Sequence, residues 1–361
     1  MADTFKTIES EKVSLSNTGI EQLDPLVGPS WDDLVTARDE HSIFHRSAWA
    51  SVLTQAYGHR PNYLRISVGG IEAALVPLME VKSCLTGRRG VSLPFSDFTG
   101  PLWTEARHAP LVYQVLVDFA ALRGWKHLEI RGGAITPVGA LPLLTYDTHQ
   151  LDLQQGVDSI RCRLDPSVRR AIRKAERSGI EVTVNQSPRA MEEFYDLHGR
   201  TRRRHGLPPQ PFGFFEAIAR NLMECGLGEI ILAKLGGVPV AGAVFLRSGG
   251  RVIYKFGASD SEHWPLRPNH LVMWHAIQHF VGIGCKELNF GRTSQNDEGL
   301  SRFKQSWGCD SGALPYFRRS LFNDKWDHAI NPRSESYPLI FGRLPLALNR
   351  FAGRLIYPHL D

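Results

Sequence analysis

Gly236-Gly237-Val238-Pro239-Val240-Ala241-Gly242-Ala243-Val244-Phe245 decides how this chain is built, because it repeats an earlier phrase, Gly69-Gly70-Ile71-Glu72-Ala73-Ala74-Leu75-Val76-Pro77-Leu78. A second pair follows in the same order: Gly124-Trp125-Lys126-His127-Leu128-Glu129-Ile130 and Gly284-Cys285-Lys286-Glu287-Leu288-Asn289-Phe290. The copies stand about 160 residues apart, which is the size of a domain and far too long for a solenoid repeat. Ordered matches at similar offsets point to a duplicated domain.

Working outward from these phrases, each glycine pair reads as a tight turn between two strands. In the first half, 31–38 and 47–57 have helical spacing, and 62–68 and 71–81 alternate as strands around Gly69-Gly70. A helix over 109–123 ends at Gly124, a strand follows over 127–131, and 151–153 closes the half. In the second half, Asp165 can cap a helix with Pro166 in its first turn, ending at Gly179. A strand at 180–184, helices at 190–204 and 212–225, and strands at 229–235, 238–246 and 251–258 come next. A helix at 269–281, a strand at 286–290, a helix at 299–307 and a strand at 313–318 complete it. Helices that alternate with antiparallel strands predict an α/β protein of the α+β type, with a mostly antiparallel mixed sheet flanked by helices in each half. The expected units are 1–155, 156–325 and a tail, 326–361. No GxGxxG or GxxxxGK[ST] loop occurs, so a doubly wound nucleotide fold is not expected.

The 361 residues exceed a single core's usual size, and 42% hydrophobic with 22% charged content is ordinary for a globular protein. A net charge of +5 tilts the partners toward anions such as phosphates, nucleotides, RNA or acidic lipid. The five cysteines are scattered and form no CxxC pair, which suits a reducing compartment rather than a disulfide framework or zinc site. The leader MADTFKTIESEK lacks the apolar stretch of a signal peptide, and no apolar run is long enough to span a bilayer. A cytoplasmic protein is expected. His41 and His45 have HxxxH spacing without the HExxH glutamate, so no metal is assigned.

The most loaded stretch is Asn289-Phe290-Gly291-Arg292-Thr293-Ser294 followed by Phe303-Lys304-Gln305-Ser306-Trp307-Gly308. A strand ends at Gly291, where backbone can approach a ligand closely. Arg292 offers a planar fork for phosphate or carboxylate. Lys304, between aromatics, can place positive charge where an oxyanion develops; the plainer alternative is a solvated helix lysine. Tyr254 is a candidate proton shuttle or a packed sheet tyrosine. Asp97, among the aromatics of Pro94-Phe95-Ser96-Asp97-Phe98, either lines an acceptor cleft or caps a turn. Arg169, Arg173 and Arg177 share a helix face, and Arg200, Arg202, Arg203 and Arg204 form a second basic cluster. Two clusters favour an anionic ligand, while the aromatic interleaving of an RNA platform is missing. The tail, 337–360, alternates Leu, Ile and Phe with Arg343, Arg350 and Arg354. It either packs back on the body or lies on an anionic membrane surface.

On SVRRAIRKAERSGIEV (167–182), LHGRTRRRHGLP (197–208), LRPNHLVMWHAI (266–277) and FGRTSQNDEGLSRFKQSWG (290–308), the chain resembles the Fem-type aminoacyltransferases. It is similar as well to bacterial acyltransferases linked to exopolysaccharide clusters. The likeness is strongest over about 160–320 and implies two tandem GNAT-like domains. It also implies an N-acyltransferase acting on a cell-envelope precursor of peptidoglycan or exopolysaccharide. The implied donor is aminoacyl-tRNA, or acyl-CoA or acyl carrier protein as the alternative, with no tightly bound cofactor. The implied partners are an anionic nucleotide- or lipid-linked precursor and a tRNA, with no DNA, and a site at the inner face of the membrane suits the tail. A third possibility, from another class, is a non-catalytic envelope-assembly protein. By the same resemblance Lys304 stabilises the acyl-transfer intermediate and Arg204 and Arg203 hold substrate phosphates; Arg292 and Tyr254 are catalytic candidates from the residues themselves. Arg203, Arg204, Asn269, Asp97 and Arg173 are the substrate-binding candidates. The chain departs from ordinary GNAT acetyltransferases at Leu266-Arg267-Pro268-Asn269-His270-Leu271, which lacks the glycines of the coenzyme A pyrophosphate turn.

Overall fold

The computed structural model describes residues 17–28, 30–328 and 340–360; the polar leader and positions 337–339 of the tail lie outside them. The first half runs β1 (Thr18–Leu23), α1 (Ser30–Thr36), α2 (Ser47–Tyr57), β2 (Arg60–Val68), β3 (Ile71–Ser83), β4 (Gly87–Val91), β5 (Leu102–Trp103), α3 (Ala109–Leu122), β6 (His127–Arg131) and β7 (Leu144–Asp152). The second continues with α4 (Gly156–Arg163), α5 (Pro166–Glu176), β8 (Glu181–Asn185), α6 (Pro188–Arg204), α7 (Phe212–Ile218), β9 (Gly228–Leu235), β10 (Val238–Ser248), β11 (Arg251–Ser259), α8 (Pro268–Gly282), β12 (Glu287–Asn289), β13 (Thr293–Ser294), α9 (Glu298–Gln305), β14 (Asp310–Ser320) and β15 (Lys325–Trp326). The tail carries α10 (Ile340–Arg343) and α11 (Leu346–Ile356).

The repeated phrases fall on equivalent places. Gly69-Gly70 joins β2 to β3 and Gly236-Gly237 joins β9 to β10, all four with positive φ, as a two-residue type I′ hairpin requires. In each half the hairpin is followed by an antiparallel third strand, a helix and a strand that returns parallel to the third: β4 with β6, β11 with β12. This is a mixed, mostly antiparallel sheet flanked by helices.

The halves also exchange strands. The sheet order is β1-β2-β3-β4-β6-β14-β7-β12-β11-β10-β9-β8, so β14 from the second half lies between β6 and β7 of the first. β7 in turn pairs with β12 of the second half. The short strand expected at 151–153 is therefore the end of a nine-residue strand. The expected helix over 212–225 is shorter too: α7 gives way to a wider π turn over Ala219–Met223.

Three hydrophobic clusters hold the layers. One packs α3 against the first half's sheet, with Leu64, Val76, Leu116 and Trp125. Another packs α4, α5, α8 and α9 on the second half's sheet, with Ile172, Trp274, Phe280, Phe290 and Trp307. The third joins the halves: Trp31, Phe44 and Trp49 meet Phe194, Phe214 and Phe215 in one buried cluster. A shared apolar core couples the halves far more firmly than a polar domain contact does.

The tail packs back on the body through α11 against α6. Gly353 is buried here, and a Cβ at this position would lie 2.0 Å from the carbonyl oxygen of Pro209. Backbone cannot yield as a flexible side chain does. Gly353→Ala is expected to cost about 1–3 kcal/mol of tail docking, seen as faster proteolysis between the body and α11. An unchanged cleavage rate would contradict this packing.

Candidate active site

The site grows from the point where two parallel strands part. β11 and β12 pair only through Arg251–Ile253 and Glu287–Asn289. Beyond them β11 runs on, while the other chain turns away at Gly291, whose φ is 71°. The opening is narrow, since a Cβ on Gly291 would meet Tyr254 O at 3.2 Å and Asp97 Oδ1 at 3.6 Å. That is why the strand must end in glycine.

Asp97 reaches this opening from the first half. Its loop holds Leu93 and Phe95 at φ 58° and 57°, a left-handed conformation costing about 1–3 kcal/mol per residue. Packing keeps the loop in place: the Phe95 ring sits 4.9 Å from Tyr57 and 5.9 Å from Phe214. Asp97 Oδ2 accepts from Lys255 Nζ at 2.7 Å, both groups buried. The Arg292 N–H approaches Asp97 Oδ1 at 3.5 Å, and the Tyr316 hydroxyl donates to the Asp97 carbonyl. Burial pushes the Asp97 carboxyl up, but the charges of Lys255 and Arg292 outweigh it and hold it below the usual carboxylate range.

Lys304 stands on the other side of the turn. It is 2% exposed, so it is not a solvated helix lysine. Its ammonium donates to Gly291 O at 2.9 Å and Arg292 O at 3.2 Å. Burial lowers its pKa to about 8, against partial opposition from Asp97. Behind it lies His149 on β7, with Nε2 3.4 Å from Ser301 Oγ. Burial and the Lys304 charge both lower the His149 pKa, leaving a neutral imidazole at neutral pH.

Arg292 lies over a pair of adjacent tyrosines, whose ring centres are 5.0 Å apart. Its guanidinium lies 4.6 Å from the Tyr146 ring centre and 5.4 Å from that of Tyr316, and donates to the Tyr316 hydroxyl at 2.9 Å. Arg131, paired with Glu129 at 2.9 Å, also lies 5.5 Å from the Tyr316 ring centre. Lys255, Lys304, Arg292 and Arg131 thus converge on Asp97 and Glu129, with positive charge in excess. Such a site suits a ligand or transition state bearing negative charge.

The other sequence-based candidates fall in different places. Arg204 and Asn269 meet at the far end of β11: Arg204 donates to Ser259 O at 3.1 Å, and Asn269 to Ser259 Oγ at 3.2 Å. The Arg204 guanidinium covers the Trp264 ring at 4.6 Å. Arg203 instead turns to the tail, donating to Gly342 O at 3.4 Å. Arg173 stays on the exposed face of α5 and makes none of these contacts. Tyr254 packs between Phe245 and Phe290. Its hydroxyl overlies Gly257, and burial pushes its pKa up to about 12, so the phenol keeps its proton. His41 and His45 bond separately, to Ser248 Oγ at 2.9 Å and Gly100 O at 3.0 Å.

Lys255, Tyr316, Tyr146 and His149 were not singled out as site residues from sequence. The signal for Lys255 was available: a charged residue between Tyr254 and Phe256, inside a strand whose neighbours Val252 and Ile253 are apolar.

Comparison with known proteins now supports the fold. Residues 162–305 match the family described as acetyltransferase (GNAT) domain. The crystal structure of FemX superposes with a TM-score of 0.63 at 14% identity, over 82% of this chain and 96% of that one. A tandem GNAT protein from the clavulanic acid biosynthesis pathway superposes with a TM-score of 0.51 at 9% identity, over 84% and 98%. Residues 162–305 thus resemble a GNAT domain, and the chain has the fold of tandem-GNAT proteins. In sequence it is similar to the lipid II:glycine glycyltransferase of Staphylococcus haemolyticus, 30% identical over 86 residues, or 22% of this chain. That alignment spans 20% of the relative's length.

Proposed function

We propose that the protein is an aminoacyltransferase. It would move an aminoacyl group from aminoacyl-tRNA to an amine on an anionic, nucleotide- or lipid-linked cell-envelope precursor. One observation carries this reading: the buried Lys304 ammonium, fixed by two carbonyls at the parted ends of β11 and β12. Two of its hydrogens are bound to Gly291 O and Arg292 O. The third remains to meet an oxyanion in a water-poor site, where such a donor has most effect.

The chemistry needs little more. The acceptor amine attacks the ester carbonyl, the carbon–oxygen bond to the carrier breaks, and the departing ribose oxygen takes the proton that nitrogen sheds. Asp97, held ionised by Lys255 and Arg292, is a weak base and acts by position. Arg292 offers positive charge beside it for the anionic acceptor.

The start of α8 favours tRNA over coenzyme A as carrier. Its first turn is Arg267-Pro268-Asn269-His270, with Arg267 itself at φ 65°. The His270 N–H bonds back to Arg267 O at 3.1 Å, and the Asn269 side-chain amide donates to Ser259 Oγ. Little donor capacity is left for a pyrophosphate, and Pro268 has none. The similarity to lipid II:glycine glycyltransferase supports an aminoacyl group as the unit transferred.

The test is mass spectrometry of a muramyl-peptide precursor incubated with charged tRNA or with acyl-CoA. Gain of one aminoacyl residue, with tRNA discharge, is expected. Acylation from acyl-CoA alone would replace the donor, and consumption of neither would remove the enzyme reading.

A further inference from the structure

The tail helix is amphipathic in the opposite sense to one that only packs on protein. Its inner side is small and polar: Asn349 and Gly353 are buried, and Arg350 pairs with Asp196 at 2.7 Å over the Tyr195 ring. Tyr357 anchors the end, accepting from Arg202 at 2.9 Å and donating to Pro208 O at 3.2 Å. Its apolar side faces out. Leu348, Phe351 and Leu355 are 54%, 59% and 57% exposed and line one stripe at helical spacing.

The stripe continues onto a second element. His359 O accepts from Arg89 at 2.9 Å, and His359 Nε2 lies 3.8 Å from Cys84 Sγ. These contacts bring the tip of the β3–β4 hairpin, with exposed Leu85, beside the end of the tail and exposed Leu360. Positive charge predominates around this surface, with Glu192 and Asp196 beside Phe351 and Arg354 at one edge. Arg343 and Arg354 are exposed on the tail, Lys82 and Arg88 on the hairpin, and 340–360 contains no Asp or Glu. Asp196, the acid bonded to α11, is taken up by Arg350.

We propose that this face is a docking surface for an anionic lipid bilayer. Exposed leucines and a phenylalanine enter the headgroup boundary, and the flanking cations meet acidic headgroups. Charge decides against a second copy of the chain, because a symmetric contact would set these cations against themselves. The end of the helix touches the site's own loop: the Tyr357 ring lies 5.9 Å from Phe95, two residues before Asp97. Docking would therefore bring the loop that carries Asp97 close to lipid-linked material. The surface stands independently of acyl transfer, since lipid binding is read without donor or acceptor.

The experiment is co-sedimentation of the full chain with vesicles of phosphatidylglycerol and phosphatidylcholine, against phosphatidylcholine alone. Binding to the anionic vesicles, weakened by salt, is expected. Leu348→Ser, Phe351→Ser and Leu355→Ser combined should weaken it roughly tenfold or more, and Arg343→Ala with Arg354→Ala should remove the preference for anionic vesicles. Both variants should melt like the parent and modify a water-soluble acceptor at the parent rate. Absence of vesicle binding, or equal binding by the serine variant, would overturn the proposal. So would a lipid-free dimer that the serine variant abolishes. Failure of acyl transfer alone would leave vesicle binding unchanged.

Discussion

Lys304→Ala is expected to lower turnover by roughly 10²–10³-fold while donor affinity stays within about twofold. The argument rests on where the ammonium is held. Two carbonyls fix it at the end of β12, so its remaining hydrogen needs no reorganisation as charge develops on the reacting carbonyl. Ground-state binding gains little from it, and its loss falls on the rate and not on affinity. Lys304→Arg should not rescue, because the pocket is closed and a guanidinium is larger than the ammonium it would replace. The pH profile supplies a second measure. Burial brings the Lys304 pKa from 10.5 to about 8. The charged form is therefore present below about pH 8 and lost above it, and turnover should fall on that alkaline limb. A variant with unchanged turnover, or a rate still rising smoothly to pH 10, would remove Lys304 from the chemistry.

Asp97→Asn should cost about 3–5 kcal/mol of stability, read as a lower urea midpoint. The change leaves the Lys255 ammonium buried without its counter-charge, and that unpaired charge is the expensive outcome. Asp97→Asn with Lys255→Met should recover most of the loss, and a double-mutant cycle would assign the coupling to this pair. The pH dependence has a definite sign. The Asp97 carboxyl is held below its ordinary value in the folded protein. Its contribution is thus present at neutral pH and disappears as pH falls through that depressed value. Equal midpoints for Asp97→Asn and the parent would mean the ion pair contributes no net stability.

The glycine phrases made the duplication legible, since the backbone at Gly69-Gly70 and Gly236-Gly237 tolerates little else. Arg292 and Lys304 were legible for a local reason: a strand end, a turn and a short helix place them together with few residues between. The burial of Lys255 was signalled by its apolar strand, but its pairing was hidden because its partner Asp97 lies 158 residues away. β7 was mostly hidden for a different reason. Thr145-Tyr146-Asp147-Thr148-His149-Gln150 is polar on both faces, so it lacks the alternation that marks a half-buried strand. Its side chains line the functional site rather than a core.

The exchanged strand imposes an order on synthesis. β6 ends at Arg131, and β14, which covers its edge, begins at Asp310. At ribosomal speed that interval lasts on the order of tens of seconds. Throughout it, the nascent amino-terminal half presents an uncapped row of backbone donors and acceptors. The rate at which the last strand arrives thus governs how long each new molecule is open to aggregation or to chaperone capture. Slow codons placed between residues 131 and 310 should lower the yield of soluble protein more than the same codons placed after residue 320.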